Sequence, residues 1–291
     1  MAEPGRYPGK GSVAKGTSHV IIAQISDLHV QPSGDKAYGI VDTNQFLKAA
    51  VEQLNRLRPQ PDMVVATGDL VDERTEAEYH MLRQILAPLQ APVYFVMGNH
   101  DHRQAFRRVF PNLPYMPADG HVHYVLDDYP VRIIVLDTLV DGEGYGDIKP
   151  EQLTWLATSL AHNPKKPTII FMHHPPFTTG MQNMDRMRCH GHEALGELIA
   201  SYPCVQRVAC GHLHRSIQTI WAGTLGSVAP SVAHQVALRL SPENPQAFVM
   251  EPPAFQLHLW HEGVGLITHT AFIGDFAAYS YKTKEAIALY Q

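Results

Sequence analysis

DMVVATGDLVDERTEAEYHMLRQILAPLQAPVYFVMGNHD (62–101) decides the fold class. It opens on DMVVATG (62–68) and closes on PVYFVMG (92–98), two near-continuous apolar runs of the kind that form strands buried on both faces. Between them, Thr75 and Glu78 have capping-box spacing, and Met81, Leu82, Ile85 and Leu86 fall on one helical face that ends before Pro88. Upstream, HVIIAQIS (19–26) reads as another buried strand. Asp42 and Gln45 form a capping pair for a helix over Asp42–Leu57, with Phe46, Ala50, Leu54 and Leu57 at helical spacing. The alternation β-α-β-α-β implies a parallel sheet and an α/β fold.

Downstream, HVHYVLD (121–127) and VRIIVLD (131–137) flank Asp128-Tyr129-Pro130 as a hairpin. A helix begins near Pro150, whose ring suits the first helical position, and carries Leu153, Trp155, Leu156 and Leu160. PTIIFM (167–172) and CVQRVAC (204–210) are strands enclosing a helix over His192–Ser201. After His214 only strand-like runs remain, SIQTIWAG, TLGSVAP, AFQLHLW and GLITHTA, interrupted by a Pro-rich stretch over 242–253 that reads as a loop or small cap. The expectation is mixed sheet in two stacking halves, with a flexible leader over 1–18 and a single domain over 19–291.

At 291 residues, 45 % hydrophobic and 18 % charged, the chain is a folded protein rather than a disordered one. A net charge of −5 supplies neither a basic footprint for a nucleic-acid polymer nor a polybasic anchor for a membrane. Eighteen histidines against 23 lysines and arginines favour a metal or acid–base site. Cys189, Cys204 and Cys210 lack C-x-x-C spacing and suggest neither a disulfide framework nor a thiolate zinc site. No run reaches the roughly 18 apolar residues of a membrane helix, and the N-terminal segment lacks the apolar stretch of a secretory signal, so a cytoplasmic location is expected.

Five strands end directly in polar clusters: Asp27-Leu28-His29, Gly68-Asp69, Gly98-Asn99-His100-Asp101, His173-His174 and Gly211-His212-Leu213-His214. All stand at carboxyl ends, the edge where ligands bind in open α/β sheets. One histidine after a strand is ordinarily a surface or hydrogen-bonded residue; five clusters together point to a site. They offer carboxylates, an amide and imidazoles without thiolate, a set suited to Mn, Fe, Co or Zn rather than Ca. Asp27 and His29, two apart, reach one ion only where a turn breaks the extended period. The glycines before Asp69, Asn99 and His212 let the backbone bend and approach closely. So many ligands exceed the need of one ion and suit two ions sharing a bridging carboxylate.

In this order D-x-H, G-D, G-N-H-D, H-H and G-H-x-H resemble the five-block signature of the calcineurin-like metallophosphoesterases, over about Ile21 to Arg215. GDKAYGIVDTN (34–44), the GNHD block and FMHHPP resemble the branch of bacterial glycerophosphodiesterases and class III cyclic-nucleotide phosphodiesterases. The resemblance implies a four-layer α-β-β-α sandwich of two mixed sheets flanked by helices. It implies two divalent ions (Fe, Mn, Zn or Co), one on Asp27, His29 and His214, the other on Asn99, His173 and His212, with Asp69 bridging and His100 beside the phosphate. A homo-oligomer is implied, with contacts from the region from Ser216 onward or from the Pro-rich insertion.

The expected reaction is hydrolysis of a small phosphodiester, a glycerophosphodiester or a 3',5'-cyclic nucleotide, by a metal-bound hydroxide, with Asp69, Asn99 and His100 at the reacting centre. A phosphomonoesterase and a non-catalytic scaffold are the alternatives. The serine/threonine phosphatases of this superfamily carry D-R-G in the second block, whose arginine forks onto a dianionic monoester. Here the text runs Asp69-Leu70-Val71-Asp72-Glu73, and a carboxylate, assigned to Glu73, replaces that arginine, which favours diesters. Tyr38 is a candidate to line the ester pocket and His174 to orient a ligand or shape the leaving-group side. Arg74 and Arg188 have the reach for a phosphate but read first as solvated surface residues, His190, His192 and His234 read as surface or packing residues, and the repeat Met181, Met184, Met187 as a partly buried loop.

Overall fold

The computed structural model describes residues 18–243 and 245–288. The leader expected over 1–18 lies outside them except for Ser18, whose carbonyl accepts from the Glu262 N–H at 2.9 Å. In the first half, β1 (His19–Ile25), α1 (Thr43–Arg56), β2 (Met63–Thr67), α2 (Glu76–Leu86), β3 (Val93–Val96), α3 (Arg103–Val109), β4 (Tyr124–Leu126) and β5 (Arg132–Leu136) follow one another. Then come β6 (Gly146–Asp147), α4 (Pro150–His162), β7 (Thr168–Met172), α5 (Gln182–Asp185), β8 (Cys189–His190), α6 (His192–Ala200) and β9 (Val205–Cys210). The remainder is strands: β10 (Ile217–Trp221), β11 (Thr224–Val228), β12 (Gln235–Val236), β13 (Phe248–Val249), β14 (Ala254–His261), β15 (Gly265–Phe272), β16 (Ala278–Tyr279) and β17 (Ala286–Ile287).

The caps act as their spacing predicts. Asp42 accepts from the Gln45 N–H and starts α1, and Thr75 with Glu78 closes a reciprocal capping box on α2. α3 is an addition to the sequence reading: the His102 ring caps it by accepting from the Ala105 N–H at 3.1 Å, a role outside the usual Ser/Thr/Asp/Asn signals.

Two mixed sheets form, in the orders β15-β14-β1-β2-β3 and β10-β11-β9-β7-β5-β4. Alternation along β5 and β7 shows how they stack. Ile133, Val135, Ile169 and Phe171 enter a core shared with β1–β3, whereas Ile134, Leu136, Ile170 and Met172 face the other way, onto Leu156 and Leu160 of α4 and Leu195 and Ile199 of α6. Helices α1 and α2 cover the outer face of the first sheet with Leu47, Leu54, Leu82 and Leu86. The result is the four-layer α-β-β-α sandwich. β1, β2 and β3 run parallel, as do β5, β7 and β9, so both sheets turn carboxyl ends toward the same edge. β12 and β13 pair antiparallel, Gln235 with Val249 and Val236 with Phe248, which places Phe248 and Val249 of the Pro-rich stretch on a short ribbon. Among the described residues no helix is long and apolar enough to cross a membrane.

Candidate metal centre

The five polar clusters meet at that common edge and are stitched across both sheets. Leu28 and His29 N–H groups donate to the Asp69 carbonyl at 2.8 and 2.9 Å, the His212 N–H to Asp27 Oδ1 at 2.9 Å, and the Gly211 N–H to the His173 carbonyl at 3.0 Å. The break in extended period that Asp27 and His29 need is real: their φ angles are 54° and 43°. Asp69, His212 and His214 likewise stand at 49°, 72° and 47°, a region that costs a non-glycine residue about 1–3 kcal/mol. Strain concentrated on five candidate ligands is the mark of a backbone shaped for where side chains must point.

The expected bend and close approach fall at different glycines. Gly68 provides the bend, with φ at 88°. At Gly98 the need is room, because a Cβ there would overlap the Asp69 carboxylate.

Ligand-type atoms of Asp27, His29, Asp69 and His214 all lie within 4.8 Å of one another. On the other side, His173 Nε2 is 3.1 Å from Asn99 Oδ1 and 3.3 Å from Asp69 Oδ2, which is also 3.8 Å from His29 Nε2. His212 packs its ring against His173 at 5.1 Å and leaves a buried Nε2 with no partner, as Asp27 leaves Oδ2.

These residues fit bound cations, and the hydrogen bonds show why. His214 Nδ1–H donates to the His234 carbonyl (3.0 Å), His173 Nδ1–H to the Thr67 carbonyl (2.8 Å) and His29 Nδ1–H to Asp72 Oδ1 (2.8 Å). In its neutral form each ring so held turns a bare Nε2 inward, the arrangement that outer partners impose on metal-ligating histidines. The His29 and His214 Nε2 atoms face each other at 3.2 Å, lone pair against lone pair, and only a proton or a cation between them makes that favourable. At His29 burial works against a charged ring, yet its bond to Asp72 and the charge on Asp69 outweigh burial and raise it above its ordinary value. Burial works against a charged His173 ring, yet Asp69 beside it outweighs burial and pushes the ring up to about 9. Burial lifts the Asp27 carboxyl to about 6. Burial, then the charge on His173, pushes His212 down to about 3; burial and His29 push His214 down to about 3.

His100 and Asn99 diverge. While Asn99 turns to His173, the His100 ring bonds the Asp72 carbonyl through Nδ1 at 2.8 Å, sits edge-on to His29 and lines an open cavity of about 320 Å³. Tyr38 also lines it, half exposed, its ring stacked on Phe248 at 4.9 Å. His174 lies behind the floor: it is fully buried, bonds Thr138 Oγ1 through Nδ1 at 2.8 Å and does not line the cavity.

Three assignments change. The carboxylate that reaches the site is Asp72, bonded to His29 and Gln31, whereas Glu73 is exposed. Arg74 is not free on the surface: it donates to the Asn99 carbonyl at 2.7 Å. His234 is buried in the cavity wall with rings of His29, His214 and Tyr38 around it. No local pattern announces His234; it follows no apolar strand and is brought in by the chain beyond β11. Met184 and Met187 join the wall. Asp101, the last residue of GNHD, staples two clusters by accepting from the Gly98 and Leu70 N–H groups and from Tyr79 OH.

Residues 21–216 match the calcineurin-like phosphoesterase family. The chain belongs to that family. The phosphoesterase is 39 % identical over 258 residues to a probable glycerophosphodiester phosphodiesterase GpdQ of Arcobacter nitrofigilis, covering 88 % of this chain and 94 % of the relative. It is 29 % identical over 220 residues to the 3',5'-cyclic adenosine monophosphate phosphodiesterase CpdA of Escherichia coli K12, covering 76 % and 78 %. In fold it resembles a dimetal phosphatase from Danio rerio, with a TM-score of 0.60 at 16 % identity, covering 88 % of this chain and 99 % of that one.

Proposed function

We propose that the phosphoesterase is a metal-dependent phosphodiesterase acting on small diesters, glycerophosphodiesters or 3',5'-cyclic nucleotides. In this reading Asp27, His29 and His214 hold one divalent ion, Asn99, His173 and His212 a second, and Asp69 both, with iron, manganese, zinc or cobalt suited to the donors. The observation that carries the diester assignment is the cavity wall. Among the described residues that line it there is no lysine or arginine, so apart from histidine only the ions would offset phosphate charge, and a monoanionic diester asks less of such a wall than a dianionic monoester. The names of the relatives support the same class.

When bound, the ions supply charge to phosphoryl oxygens and lower the pKa of a coordinated water. The chain supplies the rest. Asp69 fixes the spacing of the two ligand sets and takes the His100 N–H on Oδ1 at 2.8 Å, which holds the His100 backbone against the floor. With Nδ1 bonded to the Asp72 carbonyl, His100 has Nε2 left, which once protonated can donate to a phosphoryl oxygen or to the leaving alkoxide. Tyr38, Phe248, Met184 and Met187 form an apolar rim for the alcohol part of the ester.

A panel on metal-loaded protein tests this, with bis-p-nitrophenyl phosphate, cyclic AMP, glycerophosphodiesters and p-nitrophenyl phosphate side by side. A diester should exceed the monoester in kcat/KM by at least about tenfold; the reverse order would replace the reading by a monoesterase. A homo-oligomer belongs to the same reading, supported by exposed Phe272, Phe276, Tyr279 and Tyr281 near the C-terminal end, and sedimentation tests it. So does a cytoplasmic location, supported by three buried, unpaired cysteines.

A further inference from the structure

The loop that walls the catalytic cavity has a second face. Met184 and Met187 point into that cavity, whereas Arg186 and Arg188, with Gln182, Asp185 and His190, line a different open cavity of about 400 Å³ that shares no residue with the first. Cys189 is fully buried, while Arg188 before it and His190 after it both line this second cavity. Among the described residues every arginine other than Arg186, Arg188 and Arg207 is hydrogen-bonded or ion-paired within the protein. Two of these three unpaired guanidiniums thus share one cavity, in a chain whose net charge is −5. The one carboxylate lining the cavity does not answer them. Asp185 is spent on its own loop, accepting from Thr179 N–H and Oγ1 at 2.8 and 2.7 Å and from the Gly180 N–H at 3.0 Å. The His190 ring is held by stacking on Tyr145, with centroids 4.4 Å apart and planes 18° apart.

We propose that Arg186, Arg188 and His190 form a binding site for a phosphate dianion on the outer face of this loop, separate from the catalytic cavity. Two guanidinium forks and an imidazole match a tetrahedral group with three free oxygens, whereas one fork already saturates a planar carboxylate. The dianion is either a second phosphate carried by the substrate or free phosphate. Only the first source rests on the phosphodiesterase reading.

Calorimetric titration of metal-loaded protein with inorganic phosphate tests the site. The wild type should bind one equivalent beyond the catalytic cavity, and Arg186→Ala/Arg188→Ala should lose it while keeping metal content and turnover of bis-p-nitrophenyl phosphate. If that variant melts early, Arg186→Lys/Arg188→Lys, which keeps charge and loses the forks, should weaken the extra equivalent at least about tenfold. Kinetics on diesters with and without a phosphomonoester on the alcohol separate the sources. A preference for the phosphorylated diester that the double variant erases assigns the site to substrate, and a lost equivalent with no preference assigns it to free phosphate. Equal stoichiometry and equal preference in wild type and variants would overturn the proposal, and because binding is read without turnover, that outcome differs from a failure of the phosphodiesterase reading.

Discussion

Two buried polar clusters stand a few residues apart along the same strands. Between the sheets, Gln24 donates through Nε2 to Thr67 Oγ1 and the Cys210 carbonyl and accepts on Oε1 from His258 Nε2, while His258 Nδ1 accepts from Thr268 Oγ1. Each of these side-chain groups meets a complementary partner, and the cluster needs nothing from outside. At the strand ends, by contrast, bare imidazole nitrogens face one another and carboxylate oxygens, and Asp27 Oδ2 and His212 Nε2 have no partner. Both clusters use buried histidine. The completeness of the bonding separates these two clusters, because an unpaired buried polar atom costs about 1–3 kcal/mol.

The largest expected effect breaks the unsatisfied cluster at its centre. Asp69→Ala removes the oxygen between the two imidazole sets, and metal content should fall from two ions per chain toward none, with kcat/KM down by about 10³-fold or more; His214→Ala should cost mainly one ion. Elemental analysis reads both, and a wild type that never takes up more than one ion refutes the two-set assignment.

The next effect separates holding ions from handling phosphate. His100→Ala should lower kcat about 10²–10⁴-fold with metal content unchanged. A loss confined to glycerophosphodiesters, whose alkoxide needs a proton, identifies an acid, and an equal loss on bis-p-nitrophenyl phosphate identifies a stabiliser of the transition state. Loss of metal would move His100 into the ligand set.

A smaller change follows at the rim. Phe248→Ala removes the ring on which Tyr38 stacks and should raise KM for esters of larger alcohols about tenfold, while kcat on a minimal diester stays within about twofold.

The smallest effect tests the satisfied cluster. Burial, then the charge on Arg207, holds His258 well below its ordinary value of 6.5. A proton therefore binds the unfolded chain first, so this contribution to stability is present above about pH 6.5 and is lost as pH falls below it. His258→Gln should flatten that part of the Tm-against-pH profile and leave activity near pH 7 unchanged; an unaltered profile would show that the His258–Gln24 bond carries no proton linkage.

Local signals made much of this legible in advance. Apolar runs, capping pairs and Pro150 located the strands of the two large sheets and the four longer helices, since each rests on residues a few positions apart, whereas the two-residue strands carried no such signal. The five clusters were visible because each follows a strand directly. Asp72 was misread by one position because a tight turn decides which of two neighbouring carboxylates faces inward. His234 and Phe248 carried no signal, because the chain beyond β11 brings them to the cavity through contacts no local pattern records.

What the sequence by itself determined is the order of elements and the chemical character of the strand ends, for periodicity and donor type are properties of neighbouring residues. The tertiary structure alone decided which nitrogen of each histidine is bare, which glycines bend and which make room, and that Asp69 Oδ2 stands between the two imidazole sets. Those outcomes depend on hydrogen bonds that cross from one sheet to the other, such as His212 to Asp27 and His173 to Thr67, over separations of 185 and 106 residues. Over such distances only the packing of the two sheets fixes which atoms meet.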